Sequence, residues 1–395
     1  MESANRLPSA AQREILAGMV SPVGQTREVD DAPDVEGLEE SKHALEDYPL
    51  DSLFIRTEPR SIQDVLRRIG QGVIVLDPDF QREFLWDERR QSRLIESVLM
   101  RIPLPVFYFA ENTDGKLVVV DGLQRLTTFK RFKEGELALD LEKPELKGKR
   151  IAQLAPKLKN RFEDGPLTLY LIDAKVPDRV RLDIFERVNS GVSLTRQQMR
   201  NALYNGPATR LLKDLATSQP FVEVTGGILS RGENGKEMRD REVINRFFAY
   251  RLLGWKAYVE NKDQDDFDDF LGKALARLNE LPESQRAAHV EAFLASMRMN
   301  QKAFGKHAFR KHGRDDTRRK PLNIALFDVF STGLSPYDER KVTPDLVAKL
   351  QEGSFRLAEL PSFHSAISYA TTSADSVRLR FTETEKMLAE VLGAP

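Results

Sequence analysis

Lys116–Phe132 reads KLVVVDGLQRLTTFKRF, and the fold turns on how it is parsed. The run Leu117–Val120 is β-branched and apolar, which favours a strand; Leu126, Phe129 and Phe132 then recur at helical spacing. Asp121 and Gly122 therefore sit at a strand-to-helix corner. The first N–H groups of a helix lack internal acceptors and the dipole adds positive charge, so an anion is favoured there. Gly122 allows close backbone approach, and Arg125, one turn in, carries a fork suited to phosphate. Gln124, Thr127 and Thr128 add neutral hydrogen-bonding groups, and Asp121 is placed to hold Mg²⁺ or orient a nucleophile. A second parse stands beside this one: Asp121 merely caps the helix and Arg125 pairs with an acid. A bare Gly-x-x-Arg is common by chance. No Gly-Lys-Ser/Thr occurs in the chain, so this is not a Walker loop, and Gly70-Gln71-Gly72 is too short for a dinucleotide fingerprint.

Outward from the corner, Val106–Ala110 and Leu117–Val120 flank an Asp114-Gly115 turn, predicting a β-hairpin. Upstream, Ser61 and Asp64 form a capping pair for a helix carrying Ile62, Val65, Leu66 and Ile69. Gly72–Leu76 reads as a short strand, and Leu94, Ile95, Val98 and Leu99 share a face of a second helix. Downstream, Pro166–Ile172 is a strand. A helix from Asp178 to Val188 is broken at Asn189-Ser190-Gly191. Thr195 and Gln198 make a capping box for the next helix, with Leu194 and Met199 as its staple. Beyond Pro207 only helical periodicities recur. The fold class expected is α+β: a small sheet with helices over 51–206, then a helical domain over 207–395.

Residues 1–50 have the composition of a flexible tail; nine acids face one lysine between Glu28 and Asp47. Sixty basic against sixty-one acidic residues disfavour a uniformly basic nucleic-acid binder. The chain has no cysteine, which excludes disulfides, thiol nucleophiles and cysteine-bound metals. No apolar run reaches the roughly 18 residues of a membrane span and no secretory pattern opens the chain, so a soluble cytoplasmic protein with no membrane contact is expected.

Three motifs in order, DFQREFLWD around Gln81, Arg82 and Trp86, VVDGLQRLTT at the corner, and IFERVNSGVSLTRQQMRNALY at Ile184–Tyr204, resemble the domain of unknown function 262 family. That family is ParB/sulfiredoxin-like and includes the N-terminal half of GmrSD-type restriction proteins. The resemblance implies a ParB-like domain that binds, and hydrolyses with Mg²⁺, a nucleoside triphosphate within an anti-phage defence system. By it, Gly122 and Arg125 bind phosphate, Asp121 is the catalytic or metal-linked acid, and Gln124 belongs to the same motif. Gln81 and Arg82 line the pocket, and Asn189 and Gly191 close it. The family usually spells the motif Asp-Gly-Gln-Gln-Arg; Leu123 replaces the first glutamine here, so any contact of that side chain is lost.

GmrSD-type proteins pair this domain with an HNH-type nuclease, which needs clustered histidines. The five here, His43, His289, His307, His312 and His364, are scattered, so the effector nuclease is expected on a separate chain. Asp263–Asp269 lacks the spacing of a calcium loop and reads as a solvated helix start. Lys302–Lys320 holds eight Lys/Arg against two Asp, with Phe304 and Phe309 interleaved. Arg310, Lys311, Arg314, Arg318, Arg319 and Lys320 are the candidate contacts to DNA phosphates, and the acidic tail is a competitor for the same patch. A DNA- or partner-binding module without turnover, and a ParB-like nuclease, are the alternative functions; a homo-oligomer is compatible with either.

Overall fold

The computed structural model describes residues 35–37, 55–76, 86–112, 114–188, 195–260 and 267–393. In chain order the first elements are β1 (Val35–Glu36), β2 (Ile55–Ser61), α1 (Ile62–Gly70), β3 (Ile74–Val75), α2 (Glu88–Leu99), β4 (Phe107–Glu111), β5 (Leu117–Asp121) and α3 (Leu123–Lys133). Then come α4 (Pro156–Glu163), β6 (Pro166–Ile172), α5 (Asp178–Val188) and α6 (Arg196–Leu203). The remainder is helical apart from one two-residue strand. It comprises α7 (Pro207–Ala216), α8 (Gln219–Thr225), α9 (Gly232–Lys236), α10 (Arg239–Leu252), α11 (Trp255–Glu260), α12 (Phe267–Glu280), α13 (Glu283–Phe304), β7 (Leu322–Asn323), α14 (Ile324–Leu334), α15 (Pro344–Glu359), α16 (Pro361–Ala366) and α17 (Ala374–Leu392). The fold is α+β followed by a helical part, as the sequence predicts.

Five strands form one sheet in the order β2-β6-β4-β5-β3. β4 and β5 are the expected antiparallel hairpin; Asn112 Oδ1 accepts from the Asp114 and Lys116 N–H groups and closes its turn. β6 enters parallel to β4 and antiparallel to β2. Alternation along β4 sorts its side chains. Phe107 and Phe109 face a core shared with α1, α2, α3 and α4, whereas Ala110 and the flank of Tyr108 face α5 and α6. On the first face Phe129 and Phe132 of α3 meet Phe162 of α4 edge to face, at 6.1 and 5.1 Å between ring centres. Each such buried ring contributes about 1.5–3 kcal/mol through burial alone. The expected caps form as well: Ser61 Oγ accepts from Asp64 N, and Thr195 and Gln198 exchange bonds across the capping box. Leu194, the other half of the expected staple, lies outside the described residues.

Three strands, β1, β2 and β7, escape sequence pattern. β2 reads IRTEPRS, too charged and proline-bearing to signal a strand; it lies at a sheet edge, where Pro59 is tolerated. β1, inside the expected tail, pairs parallel with β7, Val35 opposite Leu322 and Glu36 opposite Asn323. The described residues all belong to one compact unit.

Candidate functional site

β5 ends at Asp121, and Gly122 turns the chain into α3 with a backbone φ of +103°. That left-handed conformation favours glycine, and packing demands it too, because a Cβ there would run into the Phe107 ring. Gly122 has no side chain to cap α3, and the helix carries no acid in its first turn. The first helical bond runs from Leu126 N to Gly122 O at 2.9 Å. The N–H groups of Leu123, Gln124 and Arg125 thus have no acceptor within the helix. Gln124 Oε1 is shut off from solvent and, among the described residues, accepts no hydrogen bond. Leu123, the departure from the family motif, packs against the core of the first face.

Arg125 is held from three sides. Its guanidinium donates to the carbonyls of Pro105 and Val106 and to Asp121 Oδ2 at 2.7 Å, and it lies 4.2 Å from the centre of the Phe107 ring. Burial lowers its pKa, and Asp121 offsets part of the effect. The Asp121 side chain keeps about a third of its surface in water (36%). Thr127 is half-buried on the same helix. Thr128, expected among the neutral donors, is fully buried and gives its hydroxyl to Gln124 O at 2.7 Å, as a threonine facing the preceding turn does. Gln81, Arg82, Asn189 and Gly191 lie outside the described residues. No group of three His, Cys, Asp or Glu able to hold a metal exists among the described residues. Mg²⁺ is usually held by one or two carboxylates plus substrate phosphates, and Asp121 is a carboxylate this corner offers.

The basic segment differs from its sequence reading. Arg310 is 2% exposed and donates to Ala308 O at 2.7 Å and Thr225 O at 2.8 Å, tying the segment to the end of α8. Burial, with the charge of Arg319 beside it, brings its pKa down to about 10. It is a structural cation and is not available to DNA. Lys311 pairs with Glu36 at 2.8 Å, Lys320 with Asp316 at 2.6 Å, and Arg314 with Glu352 and Glu359 of α15. Arg318 and Arg319 are exposed. His307 and His312 stack with ring centres 4.8 Å apart.

Sequence reasoning missed the densest ion cluster. Arg196 of α6 binds Asp183 (2.8 Å) and Glu186 (3.0 Å) of α5 and Asp268 (2.6 Å) of α12, while Arg200 binds Asp268 and donates from Nε to Gln197 Oε1 at 3.1 Å. Burial pulls the Arg196 pKa down, but Asp268, Glu186 and Asp183 together raise it above its ordinary value. Asp268 is 4% exposed, so the expected solvated helix start is in part a buried anchor. The only sequence signal was spacing: Arg196 and Arg200 lie one turn apart. A second cluster seats Asp328 of α14 between Arg246 (2.6 Å) and Arg380 (2.8 Å) in the helical core.

The arrangement is that of an α+β domain with an open, uncapped helix end beside a carboxylate–arginine pair. Residues 62–205 match the family model of the GmrSD restriction endonuclease, N-terminal domain. The GmrSD-type relationship implied by the three motifs is thus shown for this segment, and it supports a role in a restriction-type defence system. A search of the curated proteins and a search of the solved structures each return no match. Among the described residues no helix is long and apolar enough to cross a membrane.

Proposed function

We propose that this chain binds a nucleoside triphosphate at the Asp121–Arg125 corner, hydrolyses it slowly with Mg²⁺, and so acts as sensor or regulator in a cytoplasmic restriction-type defence system. The observation that carries the reading is the uncapped N-terminus of α3 behind the left-handed Gly122, inside the segment that matches the GmrSD N-terminal domain. The N–H groups of Leu123, Gln124 and Arg125 take phosphate oxygens, and the helix dipole neutralises part of their charge. Arg125 fixes the lead-in to β4 against the corner and sets the position of Asp121. Mg²⁺, when bound at Asp121, supplies charge neutralisation between phosphates. DNA is the sensed partner, met by the exposed Arg318 and Arg319, and the effector nuclease is a separate chain.

A second reading is favoured by one contact. Asp121 already has a cation at 2.7 Å, which suits a binding module that holds nucleotide, DNA or a partner without turnover. The deciding experiment is phosphate release from ATP, GTP, CTP and UTP with Mg²⁺, with and without DNA, by wild type, Asp121→Asn and Arg125→Ala. Turnover of one nucleotide that both variants lose, with binding retained in Asp121→Asn, supports hydrolysis. Nucleotide binding with no phosphate release in the wild type overturns hydrolysis and leaves the binding module. Metal-dependent plasmid nicking lost in Asp121→Asn would instead identify a nuclease.

A further inference from the structure

Next to the lead-in of β4 lies a cavity of about 610 Å³ that the corner does not use. Its volume is in the range of small-molecule sites. Ile62, Val98 and Leu104 make an apolar floor, closed tightly at Gly165, where a Cβ would sit 2.9 Å from Ile62 Cδ1. Arg101, Lys157 and Arg161 stand around it against a single acid, Asp164. Arg161 is fixed by its bond to Leu99 O at 3.1 Å. The side chains of Arg101 and Lys157 have no hydrogen-bond or ion-pair partner among the described residues. Three cationic residues thus line an apolar hollow that has one acid on its lining.

Arg101 adds an independent observation. It follows the C-cap Met100 of α2, its N–H bonding Val98 O while the Ile102 N–H bonds Ser97 O, and its φ is +61°. This helix-ending position is ordinarily glycine, because a side chain in the left-handed region is unfavourable. Glycine would meet that backbone demand with less strain, and the chain instead places an arginine there, on the cavity lining. Strain of this kind clusters at ligand sites. Ile102, beside it on the lining, is 48% exposed, an apolar side chain left open to whatever fills the space.

We propose that this cavity binds a small organic anion, its apolar body on Ile62, Val98 and Leu104 and its acidic group between Arg101, Lys157 and Arg161. The site is separate from the Asp121–Arg125 corner and stands whether or not that corner turns over nucleotide.

The probe is 1-anilinonaphthalene-8-sulfonate, an aromatic body with one sulfonate, titrated by fluorescence into the full chain. Saturable binding at one site is expected. Arg101→Gly and Lys157→Gln should each weaken it about tenfold, the loss of one charge-assisted contact. The Tm of Arg101→Gly should stay level or rise, because glycine relieves the backbone, and Asp121→Asn should bind as wild type does. Unsaturable binding, wild-type affinity in both cavity variants, or binding lost in Asp121→Asn would overturn the proposal. A lower Tm in Arg101→Gly would do the same, since the arginine would then serve the fold.

Discussion

Two regions of this molecule gather arginines, and they use them in opposite ways. Lys302–Lys320 concentrates eight cations in nineteen residues, yet in the fold Lys311, Arg314 and Lys320 are paired with acids near the surface and Arg310 is buried against carbonyls. Arg196 and Arg200 look ordinary in sequence, yet with Asp183 and Asp268 they lock α5 and α6 to α12 away from water. Charge density along the chain is no guide to which cation matters. Exposed pairs gain little, being screened and entropically costly, whereas a buried charge that loses its partner is heavily penalised.

The sharpest way to break this contrast is Asp268→Ala. It takes from Arg200 its short ion pair and from Arg196 one of three acids, and a loss of about 3–5 kcal/mol in urea-unfolding free energy is expected. A loss below 1 kcal/mol would mean that water already reaches the cluster. Next is Arg310→Met, which leaves the Val224 and Thr225 carbonyls short of a donor. It should cost about 1–3 kcal/mol while leaving DNA affinity unchanged, so a fall in DNA affinity at full stability would return Arg310 to the surface.

A smaller effect is expected at Glu36. Burial pulls its pKa up, but hydrogen bonds from Lys311 and Asn323 outweigh this and hold the carboxyl below its usual value. A carboxylate lower in the folded state contributes stability above its unfolded pKa and loses it as pH falls through the folded one. The β1–β7 contact should therefore loosen below about pH 4.5, the ordinary glutamate value, seen as faster hydrogen exchange near Asn323. Glu36→Gln should remove that pH dependence. Smallest of all is Arg314→Ala: its pairs to Glu352 and Glu359 are solvent-exposed, and no measurable change in Tm is expected.

Local pattern sufficed where local physics decides. Helix spacing, the caps at Ser61 and Thr195, and the Asp114-Gly115 turn are set by near neighbours, and each forms as the residues predict. The corner was legible for the same reason, since Gly122, Gln124 and Arg125 lie within one turn. The direction in which Arg125 points was not, because Pro105, Val106 and Phe107 reach it across the hairpin.

By itself, then, the sequence determined the α+β class, the strand-to-helix corner with its obligate glycine, and the helical second half. Only the tertiary structure decided which charges are buried. Arg310, Asp268 and Thr128 went inside, β2 took an edge, and the 610 Å³ hollow at Arg101 opened between α2, α4 and β6. The reason is range: propensity and capping act over a few residues, while burial and ion pairing depend on partners far along the chain, 72 positions for Arg196 and Asp268 and 82 for Arg246 and Asp328.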